Sequence, residues 1–335
     1  MLYVGLDVHW RTSTVCILDE HGKKVKHQVI VGSWDKLLLF LVGLREPFAI
    51  CFEASCGYGH LYDRLRRFAR RVVVAHPGAL RLIFRAKRKN DRVDAEKLAK
   101  LLYLDEVPPV HVPTVDVRSW RQLIQYRTRL IDKRTRCKNG LRSLLRSHGL
   151  RPACRLWTRR GREYLRTVEF PLRAATVQRD LLLEELVQLD GQVRRVTGEL
   201  DALGRRHPGV ELLRTIPGVG PRTAEAVMAY VDDPHRFGHN HAIGAYLGLV
   251  PCQDASAGKE RLGHITRQGP AVARKLVVEA AWQVIRRCPQ AKVRFERLVG
   301  GKPDRRKIAV VAVAHWLLRC MLAMLQTGEV WRAAA

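Results

Sequence analysis

Apolar and polar residues alternate at the start of the chain. Leucine and valine occupy every second position over residues 2–9, which predicts a strand with Asp7 on its opposite face. Two further strand patterns follow at 13–18 and 24–31, with a turn at 20–23 between them. Three short strands in succession, with no helix between them, predict an antiparallel meander.

Helical and strand patterns then alternate. The sequence predicts a helix at 34–44, a buried strand at 48–53, a helix at 58–70, a strand at 71–75 and a helix from residue 90. Meander, helix, strand, helix, strand, helix is the order of an RNase H-like (RuvC-like) domain. We therefore predict an α/β domain of this class over residues 1–105.

A proline-rich break at 107–113 ends this domain. Helical patterns follow at 116–148 and 174–205. In the second of them, leucine or valine recurs at alternating spacings of four and three, at residues 182, 186, 189, 193, 196, 200 and 203. Such heptads predict a coiled coil. Its partner is either a second chain or the chain's own helix 116–148, and periodicity leaves both open. We predict a basic helical linker and coiled coil over 106–205.

The last segment, 206–335, is predicted to be a mainly α domain, with helices at 271–287 and 305–327. Near its start, residues 212–224 predict a helix-hairpin-helix, in which Gly218 and Gly220 allow the tight turn. The N–H groups that open the next helix, together with Arg222, would contact a nucleic-acid phosphate. A plain scaffold joint between two helices is the alternative.

The charge of the chain is strongly one-sided. Its 335 residues include 60 Lys and Arg against 32 Asp and Glu, a net charge of +28, which indicates a polyanionic partner. Most of the basic residues are arginines, whose guanidinium groups bind phosphate in bidentate fashion. A genome rich in G and C could explain that preference for Arg, but not the net charge. Apolar residues make up 47% of the chain, which argues against disorder.

We predict a cytoplasmic, nucleoid-associated protein, and cysteine usage and hydropathy support the cytoplasmic part of this prediction. The 8 cysteines are scattered, with no CxxC pair, so neither a zinc site nor a disulfide framework is indicated. The first strand begins within two residues of the start, which leaves no room for a signal peptide. The longest apolar stretch, 308–325, is interrupted by His315 and Arg319 and predicts a buried helix rather than a membrane span.

Four carboxylates follow these elements in a fixed order. Asp7 lies in the first strand, Glu53 ends the fourth, and Asp91 and Asp94 share one face of the helix that follows residue 90. A converging acidic cluster in so basic a chain would be costly without a cation. Oxygen ligands alone favour Mg²⁺ or Mn²⁺. The alternative, helix capping by Asp91 with a solvated Asp94, leaves Asp7 and Glu53 unexplained.

Basic residues cluster around the predicted helices. From Arg118 to Arg166 the only acids are Asp132 and Glu163. We predict nucleic-acid contacts from this segment and from the basic run before the Asp91 helix. The residues concerned are Arg85, Lys87, Arg88, Lys89, Arg127, Arg134, Lys138 and Arg142. A simple solvated helix face is the alternative.

Several blocks together resemble the DEDD transposases of the insertion sequence 110 family, which have a RuvC-like N-terminal domain. The N-terminal blocks are 5–9 (Gly-Leu-Asp-Val-His), 53–55 (Glu-Ala-Ser) and 89–95 (Lys-Asn-Asp-Arg-Val-Asp-Ala). The C-terminal blocks are 216–220, 248–251, 256–259 and 263–269. The resemblance covers nearly the whole chain, with 106–205 similar only in character.

This resemblance implies a recombinase that excises and inserts its own mobile element. Asp7, Glu53, Asp91 and Asp94 match the metal-binding tetrad of the family, and Ser256 matches its serine nucleophile. We predict that Ser256 lies in a loop of the segment 206–335, and without the resemblance it would be an ordinary loop hydroxyl. Three basic residues of the same region could stabilise the phosphate in the transition state: Lys259, Arg261 and Arg267.

The resemblance also implies partners. In this family a structured non-coding RNA pairs with target and donor DNA and so selects the sites. Assembly is multimeric, a dimer or tetramer in which the RuvC-like domain of one protomer completes a site with the C-terminal domain of another. Two alternatives remain: a RuvC-like Holliday-junction endonuclease that uses metal-activated water, and a non-catalytic nucleic-acid-binding derivative of a transposase.

Overall fold

The computed structural model describes residues 1–83, 91–256 and 259–332, and for residues 91, 255, 256, 259 and 260 it describes the backbone. The chain forms two compact units, Met1–Arg118 and Ser119–Ala335. The division into segments 1–105, 106–205 and 206–335 stays a prediction. In the structure, the second and third of these segments share one apolar core.

The first unit is built on one five-stranded sheet. Its strands are β1 (Leu2–Val8), β2 (Thr12–Leu18), β3 (Lys24–Val31), β4 (Phe48–Glu53) and β5 (Arg71–Ala75). They lie in the order β3-β2-β1-β4-β5. β1, β2 and β3 are antiparallel neighbours, whereas β4 is parallel to β1 and β5 is parallel to β4. The predicted meander and the RNase H-like α/β architecture are confirmed.

Helices cover both faces of this sheet. They are α1 (Trp34–Val42), α2 (Tyr58–Leu65), α3 (Pro77–Ile83) and α4 (Asp91–Tyr103). On one face the even-numbered residues of β1 and β4 pack against leucines of α1 and α2. On the other face their neighbours pack against the alanines and leucines of α4. Because both faces are buried, β4 is an apolar run rather than an alternating strand.

One boundary and one additional helix in this unit differ from the prediction. The helix predicted to reach residue 70 ends at Leu65, where the chain turns and the ring of Phe68 packs 6.1 Å from that of Phe48. α3 was not predicted. It begins at Pro77, a residue that suits the first helical position because the N–H there needs no partner.

The second unit is mainly helical, and α5 leads into it. Its helices are α5 (Val115–Ser147), α6 (Arg159–Thr167), α7 (Arg173–Gly204), α8 (Pro208–Arg214), α9 (Pro221–Val231), α10 (Ala242–Tyr246), α11 (Ala271–Arg287), α12 (Pro289–Val299) and α13 (Arg306–Thr327). Single 3₁₀ turns lie at Pro234–Arg236 and Pro303–Arg305. The helices predicted at 116–148, 174–205, 271–287 and 305–327 are confirmed to within a residue or two at each end.

The prediction of a loop around Ser256 was wrong. A two-stranded antiparallel hairpin, β6 (Pro251–Ser256) and β7 (Lys259–Ile265), occupies this region, and Ser256 is the last residue of β6, paired with Lys259. The described side chains of this hairpin are nearly all exposed, so neither strand carries an alternation of apolar and polar residues. Backbone pairing defines the hairpin, and hydropathy gives no signal for it.

α5 and α7 run antiparallel along each other. Arg134 Nη1 lies 3.2 Å from Asp190 Oδ1, and farther along the pair the Cys137 thiol donates to the Leu182 carbonyl at 3.0 Å. The heptad residues of α7 are buried within this same unit, at positions 186, 189, 193, 196 and 200. Of the two pairings that the sequence left open, the structure therefore shows the one within the chain.

α13 is the one candidate membrane span among the described residues, by length and composition only. Half of its apolar window is buried inside the unit, where α13 packs against α8, α11 and α12.

A buried ionic network ties α7 to α9. Arg222 bonds Asp201 of α7, and its Nη2 lies 2.8 Å from Glu225 Oε1. The side chain of Glu225 is only 2% exposed, and its Oε2 has no hydrogen-bond donor among the described residues. Burial raises the pKa of Glu225 to about 7, although Arg222 acts in the opposite direction.

The substitution Glu225→Gln is expected to stabilise the protein at high pH. The folded state holds the Glu225 proton more tightly than the unfolded chain, whose carboxyl titrates near 4.5. Wild-type stability therefore falls as the pH rises from about 4.5 to 7, whereas the amide does not titrate. In urea unfolding, the free energy of unfolding of the variant relative to wild type should rise by on the order of 1–3 kcal/mol between pH 5 and pH 8.

The matched control is Glu211→Gln, an exposed carboxylate on α8 that pairs with Arg214. Its stability difference from wild type should change little between the same two pH values. A pH-independent difference for Glu225→Gln would show that this carboxyl is ionised throughout.

Candidate active site

Asp7 and Glu53 lie at the carboxyl ends of two parallel strands. The register pairs Leu6 of β1 with Phe52 of β4, so the next residue of each strand is the acidic one. Leu6 and Phe52 both point into the core beneath α1 and α2. Because successive side chains alternate between faces, Asp7 and Glu53 both belong to the opposite face, on strands about 4.8 Å apart.

Helix α4 crosses this same face against the direction of β1. The rings of Tyr3 and Tyr103 meet at 5.3 Å, near the start of the strand and the end of the helix. At Gly5 the two backbones touch, because a Cβ there would overlap the Ala95 carbonyl oxygen and the Ala99 nitrogen. Glycine is required at this position for steric reasons.

This crossing brings the first turn of α4 to the end of the sheet that carries Asp7. From Gly5 the strand advances about 6.6 Å in two residues, and from Ala95 the helix extends about 6 Å in four residues to Asp91. Asp94, one turn nearer, is 32% exposed. The structure thus brings the backbone positions of the four predicted carboxylates to one edge of the sheet.

Two of the described carboxylates have basic residues as neighbours. His9 Nε2 lies 3.5 Å from Asp7 Oδ2, and Lys97 Nζ lies 3.4 Å from Asp94 Oδ1. Among the described side chains no group of three His, Cys, Asp or Glu is gathered closely enough to hold a metal ion, and that set does not include the side chain of Asp91. The four predicted ligands are all carboxylates at one edge, and the side chains of Asp7, Glu53 and Asp94 are at least partly accessible, so their chemistry suits a hard divalent cation.

An ion-pair cluster fixes α4 to the far side of the sheet. Glu96 bonds Lys24 of β3, and its Oε1 lies 2.9 Å from Lys100 Nζ. Lys100 and Lys24 together lower the pKa of Glu96 to about 2. Glu96, the next acidic residue after Asp94, is therefore already paired, and its bond to Lys24 holds α4 against β3.

Three of the arginines predicted to bind nucleic acid are engaged inside the second unit. Arg222 is bound to Asp201 and Glu225, Arg127 donates to Thr197 Oγ1 at 2.9 Å, and Arg134 pairs with Asp190. Their role as nucleic-acid contacts stays a prediction. In this structure their guanidinium groups join α5, α7 and α9.

Lys138 and Arg142 form part of a cationic surface on α5. Lys138 Nζ lies 4.9 Å and the Arg142 guanidinium 5.2 Å from the centre of the Trp157 ring. Burial, with a further contribution from Arg134, lowers the pKa of Lys138. Arg162 extends the surface and pairs with Asp190 at 3.3 Å. An aromatic ring among several cations suits a nucleic-acid backbone.

The glycine turn before α9 packs tightly against another helix. Gly218 has a positive φ of 98°, and a Cβ there would meet the backbone of α11 at Gln283 and Val284. Gly220 caps α9 and has open space around its Cα. The helix–turn–helix geometry is thus present, and phosphate binding by its N–H groups stays a prediction.

The remaining predicted residues fall near or outside the described parts of the chain. Arg261 and Arg267 are exposed, and Arg267 has a positive φ of 55°. Ser256 and Lys259 are described as a backbone pair of the β6–β7 hairpin. Arg85, Lys87, Arg88 and Lys89 lie outside the described residues.

Sequence reasoning missed an aromatic cavity beside the carboxylate edge. Trp10 lies in the β1–β2 turn and is 80% exposed, with its ring 5.8 Å from that of Trp34. The signal was available in the sequence, since a tryptophan in a tight turn between two strands has no core to enter. Hydropathy periodicity does not detect it.

Two family models match the chain. The model of the transposase IS116/IS110/IS902 family matches residues 210–296. The transposase model of the DEDD type from IS110 elements matches residues 4–149, which include the sheet, α4 and α5.

The chain is similar to curated transposases over most of their length. A probable family 20 transposase of Pseudomonas aeruginosa is 30% identical over 80% of this chain and 80% of its own. The transposase for insertion sequence element IS1111A of Coxiella burnetii is 27% identical over 99% of this chain and 92% of its own.

The substitution Gly5→Ala should destabilise the first unit. Its Cβ would displace the α4 backbone, and overpacking of this kind costs about 1–3 kcal/mol. Urea unfolding should show this loss. The control is Gly198→Ala on the exposed face of α7, where a Cβ meets nothing within 4 Å; a gain of up to about 1 kcal/mol is expected there. Equal stability of Gly5→Ala and wild type would refute the close approach of α4.

Proposed function

The chain belongs to the IS116/IS110/IS902 family of transposases, and we propose that it cuts and rejoins DNA with a carboxylate-bound divalent metal and a serine nucleophile, guided by a structured RNA. That it is a DNA transposase follows from the family. The metal ligands, the nucleophile, the guide and the oligomer are proposals.

One observation carries the metal site. β1 and β4 end side by side in parallel, and the backbone contact of α4 at Gly5 directs the first turn of that helix to the same edge. No packing requirement explains acidic residues at these positions, since Asp7 and Glu53 belong to none of the apolar clusters on either face of the sheet. Asp7, Glu53, Asp91 and Asp94 would hold Mg²⁺ or Mn²⁺.

The chain's own groups prepare this site for a cation. His9 lies beside Asp7, and the ammonium group of Lys97 lies beside Asp94 and offsets part of the repulsion between the carboxylates. When bound, the divalent metal supplies Lewis acidity for the attacking and leaving oxygens of phosphodiester exchange. Lys97 is held on the same helix as its carboxylate partner, so displacing it needs only a side-chain rotation.

Ser256 is proposed as the nucleophile. Its Oγ forms a bond to phosphorus while one backbone P–O bond of the DNA breaks, and the leaving oxygen takes a proton. Rejoining reverses these steps with a different DNA hydroxyl. A serine hydroxyl needs activation by a base or a metal. The support for Ser256 is its place in the family block at 256–259 and its position at the tip of an exposed hairpin.

The partners are proposed on charge and family. A chain of net charge +28 binds polyanions, and the cationic surface around Trp157 offers both ring and charge to a backbone. We propose that element DNA, target DNA and a structured non-coding RNA bind here, in a dimer or tetramer of the chain.

The first test is Asp7→Asn. The amide keeps the shape of the side chain but removes a negative oxygen donor, so Mg²⁺-dependent cleavage of labelled junction DNA, with RNA transcribed from the element's flanks, should fall more than about a hundredfold. Even changing a group that only orients a metal ligand costs about 10- to 100-fold. Folding and RNA binding should be retained.

Asp116→Asn is the matched control, because that carboxylate is exposed in the first turn of α5. Full cleavage by Asp7→Asn would remove Asp7 from the metal site. Binding without any cleavage by wild-type protein, with or without Mg²⁺, would favour a non-catalytic derivative of a transposase.

The second test is Ser256→Ala in the same reaction, run on a denaturing gel. The wild-type protein should give a covalent protein–DNA adduct that depends on RNA and on Mg²⁺, and the variant should give none. Ser143→Ala, an exposed serine of α5, should behave as wild type. An adduct that persists in Ser256→Ala identifies another nucleophile, and cleavage by wild type without any adduct favours the junction endonuclease.

A further inference from the structure

A cavity of about 1090 Å³ opens at the carboxyl ends of β1 and β4 in the first unit. Its walls come from the β1–β2 turn, the start of α1, the loop after Glu53 and one side of α2. We call it the aromatic pocket and define it by Trp10, Arg11, Trp34, His60 and Arg64. Its volume lies slightly above the roughly 300–1,000 Å³ typical of small-ligand sites, which is enough for a nucleotide.

The aromatic side chains of the pocket are held in a fixed arrangement. The Trp34 Nε1–H donates to the carbonyl of His9 at 3.1 Å, and the ring of Trp34 lies against Gly57, whose positive φ of 80° and missing Cβ leave room for it. His60 stacks on Trp34 with 22° between the planes and 6.2 Å between the centres. The ring of Trp10 meets that of Trp34 at an angle of 63°, with 5.8 Å between the centres, and Trp10 stays 80% exposed.

The exposure of Trp10 has no structural explanation within the unit. An indole that is 80% exposed gains almost nothing from burial, and the adjoining core of β1, β4, α1 and α2 is complete without it. Large exposed apolar groups beside a cavity mark binding surfaces. Tryptophan is also the side chain best suited to stacking on a flat ring.

Two arginines of the pocket, Arg11 and Arg64, favour the binding of an anion. Arg11 makes no ion pair with a described residue and lies next to Trp10 in the same turn. Arg64, on the opposite wall, donates to Asp35 at 3.2 Å. A flat aromatic surface bordered by an available guanidinium fits a base and its phosphate together.

The pocket adjoins the carboxylate edge. His9, which precedes Trp10, lies 3.5 Å from Asp7, and Ser55 of the pocket wall follows Glu53 by two residues. The pocket lies on the α1 and α2 side of the sheet and the carboxylates on the α4 side, and both are at the same end of the sheet, where β1 and β4 finish.

We propose that the aromatic pocket binds one unpaired nucleobase of the strand that the carboxylates act on, with the base stacked on Trp10 and its phosphate on Arg11. This proposal rests on the proposed function and adds a positioning role to it. A base held out of the helix fixes the register of the strand at the point of exchange. Stacking accepts any base, which leaves sequence selection to other contacts.

The test is binding of a labelled single-stranded oligonucleotide to the full chain in EDTA, followed by fluorescence anisotropy. Trp10→Ala should weaken binding by about 5- to 150-fold, the range found for base–aromatic stacking, while Trp10→Phe retains most of the affinity. Leu39→Ala is the control, a 73% exposed side chain of α1 that does not line the pocket. Binding by Trp10→Ala within twofold of wild type would overturn the proposal.

Two further readouts separate stacking from general charge attraction. An abasic nucleotide moved along the oligonucleotide should weaken wild-type binding in one register and leave Trp10→Ala unaffected. Trp10→Ala should keep the salt dependence of wild-type binding. Arg11→Ala should make the slope of log K against log salt concentration shallower by about 0.7, because one phosphate contact is lost. Parallel DNA and RNA oligonucleotides show which strand occupies the pocket, and an absence of register dependence in both overturns the proposal.

Because these measurements need no metal, their failure is distinct from failure of the proposed function. Register-dependent binding together with full cleavage by Asp7→Asn would leave the pocket intact and refute the metal site. Binding without register dependence, together with loss of cleavage in Asp7→Asn, would refute only the proposed base-binding role of the pocket. Self-association of the wild type that is lost in Trp10→Ala, measured by sedimentation without oligonucleotide, would instead assign Trp10 to a protein interface and overturn the proposal.

Discussion

The backbone contact between β1 and α4 at Gly5 is the constraint on which the first unit depends. A helix can lie this close to a strand only where the strand has no Cβ and the helix presents alanine, as Ala95 and Ala99 do. The contact sets both the height and the direction of α4. Since its direction opposes that of β1, the acidic first turn of the helix reaches the end of the sheet at which Asp7 and Glu53 emerge.

Electrostatics would otherwise oppose this arrangement. Bringing several carboxylates together costs free energy, and the structure offsets part of that cost locally, through the ammonium group of Lys97 beside Asp94. The ion pair of Glu96 with Lys24 holds α4 to β3, and Lys100 pairs with the same carboxylate from within α4. The catalytic proposal and the stability of the unit therefore depend on the same helix.

In the second unit the excess of arginine has a structural role as well as an electrostatic one. Arg222 and Arg127 lie among the carboxylates and hydroxyls of α7 and α9, where burial and mutual repulsion lower the pKa of Arg127. Arginine tolerates this because its guanidinium stays charged and bonds several acceptors at once. The cations around Trp157 are left to face a polyanion, so the net charge overstates the surface available for nucleic acid.

The sequence by itself determined the alternation of strands and helices, the RNase H-like class and the positions of the four carboxylates, because hydrophobic periods and acidic residues are local properties. It did not determine the β6–β7 hairpin, whose exposed strands carry no periodic signal, or the pairing of α7 with α5, for which heptads specify a seam but not a partner. Only the tertiary structure decided which arginines are buried in ion pairs and which face solvent. It alone placed Trp10, Trp34 and His60 together, because residues from a turn and two helices meet only when the sheet that carries them is formed.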